Sequence, residues 1–168
     1  QAHAIESNFC PGSFGGWADL SASPWLYDLF KAERTTSGKL DPRLYWTICT
    51  YENDWEGYEF GNAAYCTKIT DAQNLCTNNN NGGLPIAKYT NIRTGINLRM
   101  LRYADILLLA AECENEVNGP TQQAIDWINK VRNRAELADL KLSDFNTADK
   151  LFEQIANVER PKEFGCEF

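Results

Sequence analysis

A mainly α-helical fold, with a helical hairpin in the C-terminal half and a loop-rich half carrying short strands ahead of it, is what this 168-residue sequence predicts. Three observations carry that reading. The stretch Leu101 to Gly119, LRYADILLLAAECENEVNG, is built of good helix formers and holds an unbroken apolar run from Ile106 to Ala111. Beyond Pro120, the residues Ala124, Ile128, Val131 and Ala135 recur at helical spacing. The first 95 or so residues, by contrast, are broken every few positions by turn formers. The chain therefore divides near residue 95, into a loop-rich, aromatic-rich segment (1–95) and a helical segment (96–168) of the same domain.

Composition sets the outer limits. With 43% hydrophobic and 12% aromatic residues the chain has ample material for a packed core. A net charge of -7, with 16 basic residues that form no run, argues against a nucleic-acid partner. The longest apolar run is far shorter than the roughly 20 residues that cross a bilayer. There is no initiator Met and no apolar leader before Gln1, so the chain is expected to be a piece of a longer polypeptide. Cys10, Cys49, Cys66, Cys76, Cys113 and Cys166 form no C-x-x-C pair, and His3 is the sole histidine. No metal site or cofactor is expected. Cys66 and Cys76 are the pair whose short loop closes most easily, and Cys113, inside the apolar helix, is expected to be a buried free thiol.

In the loop-rich half, Pro11-Gly12, Gly15-Gly16, Ser37-Gly38, Asp41-Pro42 and the run from Asn78 to Gly83 leave room only for short elements. Ser23 as N-cap and Pro24 at the first helical position predict a short helix over Pro24 to Ala32. Leu44 to Tyr51 reads as a short strand. Trp25, Trp46 and Trp127 are expected in the core.

On a helical wheel Leu101, Ala104, Leu107, Leu108 and Ala111 share one side, and Tyr103, Ile106, Ala110 and Cys113 continue around the back. Only Arg102, Asp105, Glu112 and Glu116 form a polar stripe, so this helix is expected to be buried on most sides. Asn118-Gly119 ends it and Pro120-Thr121 opens the next, which makes a tight antiparallel hairpin. Lys130, Arg132 and Arg134 suit the C-terminal end of the second helix, and the hairpin sets Glu114 and Glu116 beside its N-terminus. A third helix starts near Asn146 or Thr147 and runs through Leu151, Phe152, Ile155 and Val158 until Pro161 stops or kinks it. Such hairpins are the unit of tetratricopeptide-like solenoids, although no second copy follows at a spacing of about 34 residues.

These residues also carry a family likeness. Leu101-Arg102-Tyr103-Ala104-Asp105-Ile106-Leu107-Leu108-Leu109-Ala110-Ala111-Glu112, then Ala124 followed by Ile128-Asn129-Lys130-Val131-Arg132-Asn133-Arg134-Ala135, then Glu159-Arg160, closely resemble the C-terminal part of the SusD/RagB family. Pro24-Trp25-Leu26-Tyr27-Asp28-Leu29-Phe30 ahead of Asp41-Pro42-Arg43 resembles an earlier block of the same family. Pro161 and Gly165-Cys166 depart from the third block. The resemblance implies a SusD-like fold with a tetratricopeptide-like helical hairpin plus a loop-rich segment with short strands. It implies that the greasy helix is sheltered by neighbouring hairpins of a longer chain. It also implies a glycan-binding lipoprotein of Bacteroidota on the extracellular face of the outer membrane. A SusC-like TonB-dependent transporter would be its partner and a lipid anchor would lie outside these residues.

Seven aromatics between Tyr45 and Tyr65 suit that role, because sugar rings stack their C–H faces on indole and phenol planes. Trp17, Tyr51, Trp55 and Tyr58 are the candidate glycan contacts. Asp41-Pro42-Arg43, Asn118-Gly119 and the Arg102/Asp105 pair read as structural. Two other classes compete with sugar capture. One is a protein-interaction scaffold of the tetratricopeptide kind. The other is a glycoside hydrolase fragment using Asp54, Glu56 and Glu59, which lacks a proton-relay partner when His3 is the sole histidine, so no catalytic residues are expected.

Overall fold

The structure is a computed structural model that describes residues 22–48 and 101–165. Two compact units are present, one of Gln1–Ala32 with Pro42–Asn97 and one of Glu33–Asp41 with Leu98–Phe168. Described residues of the first unit include two short helices. Helix α1 spans Pro24–Lys31, opened by the Ser23 hydroxyl, which accepts from the Leu26 N–H, and by Pro24 at its start. Leu26 and Phe30, one turn apart, are its buried face. Trp25 lies off that face and is 54% exposed, contrary to the core position expected for it.

Helix α2, Arg43–Thr47, replaces the first part of the strand expected over 44–51. Pro42 already holds helical dihedrals, so the chain enters a turn of helix rather than an extended run. That turn points Leu44, Tyr45 and Ile48 inward, a set that short apolar runs satisfy equally as strand or helix. Ile48 itself is extended. The side chain of Trp46 and residues 49–51 lie outside the described set.

The second unit is helical. Helix α3 covers Tyr103–Asn118 and ends at Gly119, whose φ of 74° is a conformation that favours glycine. Helix α4 covers Gln122–Arg134, and the Thr121 hydroxyl caps it by accepting from the Ala124 N–H. Thr121 also donates to Glu114 at 3.1 Å, so the acid set near the neighbour's N-terminus is tied to its cap. Leu107, Leu108 and Ala111 of α3 pack with Ala124, Ile125, Ile128 and Val131 of α4 in one cluster with Phe145, Leu151 and Ile155. Each large aliphatic side chain buried there contributes about 1.5–3 kcal/mol. Trp127, expected in the core, is only partly buried and packs against the cluster's edge.

Thr147 caps the third helical stretch, accepting from the Lys150 N–H. It begins as α5, Ala148–Gln154, widens into a π turn at Ile155–Glu159, and continues as α6, Arg160–Phe164. Of the two outcomes expected at Pro161, a stop or a kink, the stop does not occur, and the helical stretch continues to Phe164. A proline ring crowds the carbonyl four residues back and has no N–H to give. The π turn just before it, in which the Arg160 N–H reaches the Ile155 carbonyl, absorbs that mismatch without ending the rod. Leu151, Ile155, Glu159 and Lys162 consequently share a buried face.

The remaining piece of this unit comes from far upstream. Residues Glu33–Asp41 form a tight hairpin in which Arg34 bridges Leu40, closed at Gly38 with φ 84°. Thr35 then bridges Leu137 antiparallel, and the Thr36 N–H donates to the Glu136 carbonyl at 2.9 Å. Leu40 and Leu137 are both buried. This strap fastens to the chain just after α4. Asn129 secures the same region from the helix side, bonding both the carbonyl and the N–H of Leu140.

Candidate functional site

Trp17, Tyr51, Trp55 and Tyr58, the four aromatics expected to meet a glycan, lie outside the described residues, as do Asp54, Glu56, Glu59, Cys66 and Cys76. What the structure does resolve is the charged framework of the helical unit. Arg132 is at its centre, 2% exposed, with every edge of its guanidinium engaged. Its Nε donates to the Ala138 carbonyl at 2.9 Å, its Nη1 to Glu159 Oε1 at 2.6 Å, and its Nη2 to Glu33 Oε1. Gln154 adds a bond to the same Glu159 oxygen at 2.8 Å. Lys162, itself buried, reaches Glu33 Oε2 at 3.0 Å.

Four charges of alternating sign thus join three separate stretches of chain: the strap, α4, and the π turn with α6. A planar fork is suited to this because it meets two carboxylates at once. The electrostatics follow from the contacts. Burial pushes the Glu33 carboxyl up, but the hydrogen bond from Arg132 and the charge of Lys162 outweigh it and hold the group below the usual carboxylate range. Burial likewise works against the charge on Arg132, and the Glu159 and Glu33 carboxylates beside it together more than offset the loss.

A second node lies at the N-terminal end of α3. Glu163, with no exposed side-chain surface, accepts from Arg102 Nη1 at 2.7 Å and also from Arg134 Nη2. Arg102 Nη2 donates in addition to the Glu163 carbonyl at 2.8 Å. Arg160 pairs with Asp105 at 3.1 Å, and the Phe164 ring is flanked by the guanidiniums of Arg102 and Arg160, 4.7 and 5.4 Å from its centroid. The basic end of α4 does stand beside the start of α3, as the hairpin geometry requires, and Glu163 is what holds the two together.

Arg102, Asp105, Arg132, Arg134, Glu159 and Arg160, charged residues of the three sequence blocks, bind one another and their neighbours. These contacts are made to one another, so they position helices. Glu33, Lys162 and Glu163 were not anticipated. Opposite charges inside an otherwise apolar framework are a signal for such pairing, and this would have drawn in Glu163. A single Glu 99 residues upstream of its partner gives no sequence signal at all.

Cys113, expected to be buried, is exposed. It belongs to the face of α3 that carries Tyr103, 70% exposed, and Val117, 79% exposed. Among the described residues α3 is therefore covered on one side only, not on most sides. Leu101, expected on the covered side, precedes the helix and is also exposed. No described helix is long and apolar enough to cross a membrane.

Comparison with known proteins gives a consistent result. The sequence pattern of the SusD family matches residues 3–168. The SusD-like protein P2 of Formosa agariphila is 33% identical over 72 residues, which cover 40% of this chain and 14% of that protein. The SusD-like protein P25 of the same organism is 61% identical over 36 residues, 21% of this chain and 7% of that protein. Among solved structures, a SusD superfamily protein from Bacteroides vulgatus superposes with a TM-score of 0.69 at 25% identity, over 93% of this chain and 33% of that one. The chain thus spans about a third of the length of that structure and a smaller share of the curated relatives. The helical hairpin, its buried charge framework and the match over nearly the whole sequence lead to one assignment: this chain belongs to the SusD family.

Proposed function

We propose that the protein captures oligosaccharide or polysaccharide at the cell surface and passes it to a SusC-like TonB-dependent transporter for nutrient uptake. The observation that carries this reading is the family match over residues 3–168. The described helical unit supports it as a frame, because Arg102, Arg132, Arg134, Glu159 and Arg160 are held in internal ion pairs. In this reading Trp17, Tyr51, Trp55 and Tyr58 stack on sugar rings, with neighbouring Asn, Asp and Arg side chains bonding the hydroxyls. The role is binding rather than catalysis, on the extracellular face of the outer membrane, with a lipid anchor outside these residues.

A panel of soluble glycans assayed by affinity electrophoresis and calorimetry tests it. At least one glycan is expected to bind, and Trp17→Ala or Trp55→Ala is expected to weaken it by about tenfold, as losing ~1.4 kcal/mol of stacking would. No binding to any glycan by the natural polypeptide, or binding indifferent to all four aromatics, overturns the proposal. Release of shortened products during incubation would favour hydrolysis instead. Copurification of an outer-membrane transporter with the natural polypeptide checks the partner.

A further inference from the structure

The strap of residues 33–41 is held to the helical unit by different means from those that hold the helices together. None of its side chains belongs to the apolar cluster that α3, α4 and α5 share, and neither does Leu137, the residue that Thr35 bridges. Leu40 is the one large apolar side chain the strap buries. The Thr35 and Gly38 N–H groups donate within the strap, to the Lys39 and Thr35 carbonyls, so the hairpin closes on itself, and the Thr36 N–H reaches across to the Glu136 carbonyl at 2.9 Å. Glu136 holds φ 60°, a left-handed backbone that costs a residue with a side chain, so the edge on which the strap sits is itself strained.

Glu33 supplies the charged hold. It faces Arg132 of α4 and Lys162 of α6, with Glu159 of the π turn on the other side of Arg132. The Glu33 side chain keeps 31% of its surface in water, against 0% for Glu159, so a proton reaches it without any helix opening. Lys162 is 1% exposed, and among the described residues Glu33 is its only ion-pair partner. Neutralising Glu33 therefore strands a buried ammonium, whereas Arg132 keeps Glu159. Moving the strap aside lets water reach Lys162 and leaves the apolar cluster whole.

We propose that residues 33–41 are an acid-released latch: when Glu33 loses its charge the strap leaves the helical unit as a separate step, with α3, α4 and the α5–α6 rod still folded. The direction follows from the Glu33 carboxyl, which titrates below its ordinary value of 4.5, so the latch is closed above about that pH and opens as the pH falls through the lower, folded value. The inference is independent of which glycan, if any, is bound.

Hydrogen exchange on the natural polypeptide from which residues 1–168 come tests this, read at the Thr36 amide for the strap and at the Ile128 amide for the hairpin. At neutral pH, Glu33→Gln imitates the protonated carboxyl and separates its effect from that of the other carboxylates, buried Asp41 included. Thr36 protection is expected to fall at least about tenfold in this variant with Ile128 unchanged, as for a segment that opens on its own. In the parent protein the same split is expected between about pH 6 and about pH 3. Equal Thr36 protection in variant and parent overturns the proposal, as does loss at both amides together, which would make the strap inseparable from the helices. Adding Lys162→Met to Glu33→Gln removes the stranded charge and is expected to restore most of the Thr36 protection. No recovery overturns the stranded lysine as the force that opens the latch.

Discussion

Arg132 Nη1 lies 2.6 Å from Glu159 Oε1, and the two side chains keep only 2 and 0% of their surface in contact with water. A pair so withdrawn is costly to build and more costly to break, because removing one partner leaves the other as an uncompensated buried charge. Arg132 additionally holds Glu33, so the same side chain ties the strap to the helices.

Arg132→Met is therefore expected to lower unfolding stability by about 3–5 kcal/mol. The double variant Arg132→Met with Glu159→Leu is expected to recover part of that loss, since neither charge is then stranded. Urea unfolding of the three proteins measures both effects. A single variant as stable as the parent would mean the pair adds nothing.

The pH dependence follows from Glu33, whose carboxyl titrates below its ordinary value of 4.5 in the folded protein. The unfolded chain then binds more protons than the folded one between the two values. The stabilisation is fully present above about pH 4.5 and is lost as the pH falls through the lower, folded value. Glu33→Gln is expected to flatten this part of the acid unfolding curve. An identical acid dependence in variant and parent would remove Glu33 from the account.

Helix capping gives a local test. Thr121→Ala and Thr147→Ala each delete a hydroxyl that accepts a first-turn N–H, and each is expected to cost about 1 kcal/mol. Replacement by Ser is expected to restore most of it. Thr121→Ala should be the worse of the two, because that hydroxyl also donates to Glu114. Thermal melts rank the variants.

Phe30 and Trp25 offer a contrast within one helix. Phe30 is fully buried and Trp25 54% exposed. Phe30→Ala is expected to cost about 3–5 kcal/mol, and Trp25→Ala no more than about 1. Chemical denaturation of the two variants decides whether α1 is oriented as described; the reverse order would turn it over.

Periodicity and cap chemistry, which are local, were sufficient for much of this fold. Ser23-Pro24, Asn118-Gly119 and Thr121 mark helix ends because they satisfy the backbone groups of the adjacent turn, and each marks the end it was read for, whereas the start of α3, which has no such side-chain cap, falls two residues after Leu101. Ala124, Ile128 and Val131 lie inside because their spacing leaves one face to bury. Where the local signal is shared by two structures, as in Leu44 to Ile48, sequence chose strand and packing chose a turn of helix. Pro161 is the same lesson in a longer element: its steric demand was legible, but not that a wider turn upstream would meet it.

The sequence by itself determined the mainly helical class, the hairpin and the family, since each rests on residues within a few turns of one another or on a pattern along the chain. Only the tertiary structure decided that the strap of residues 33–41 joins the helical unit, that Glu33 meets Arg132 across 99 positions, and that one apolar side of α3 faces outward among the described residues. The physical reason is that burial and long-range ion pairing depend on which surfaces the folded chain brings together. A residue's own neighbours in sequence carry no record of that.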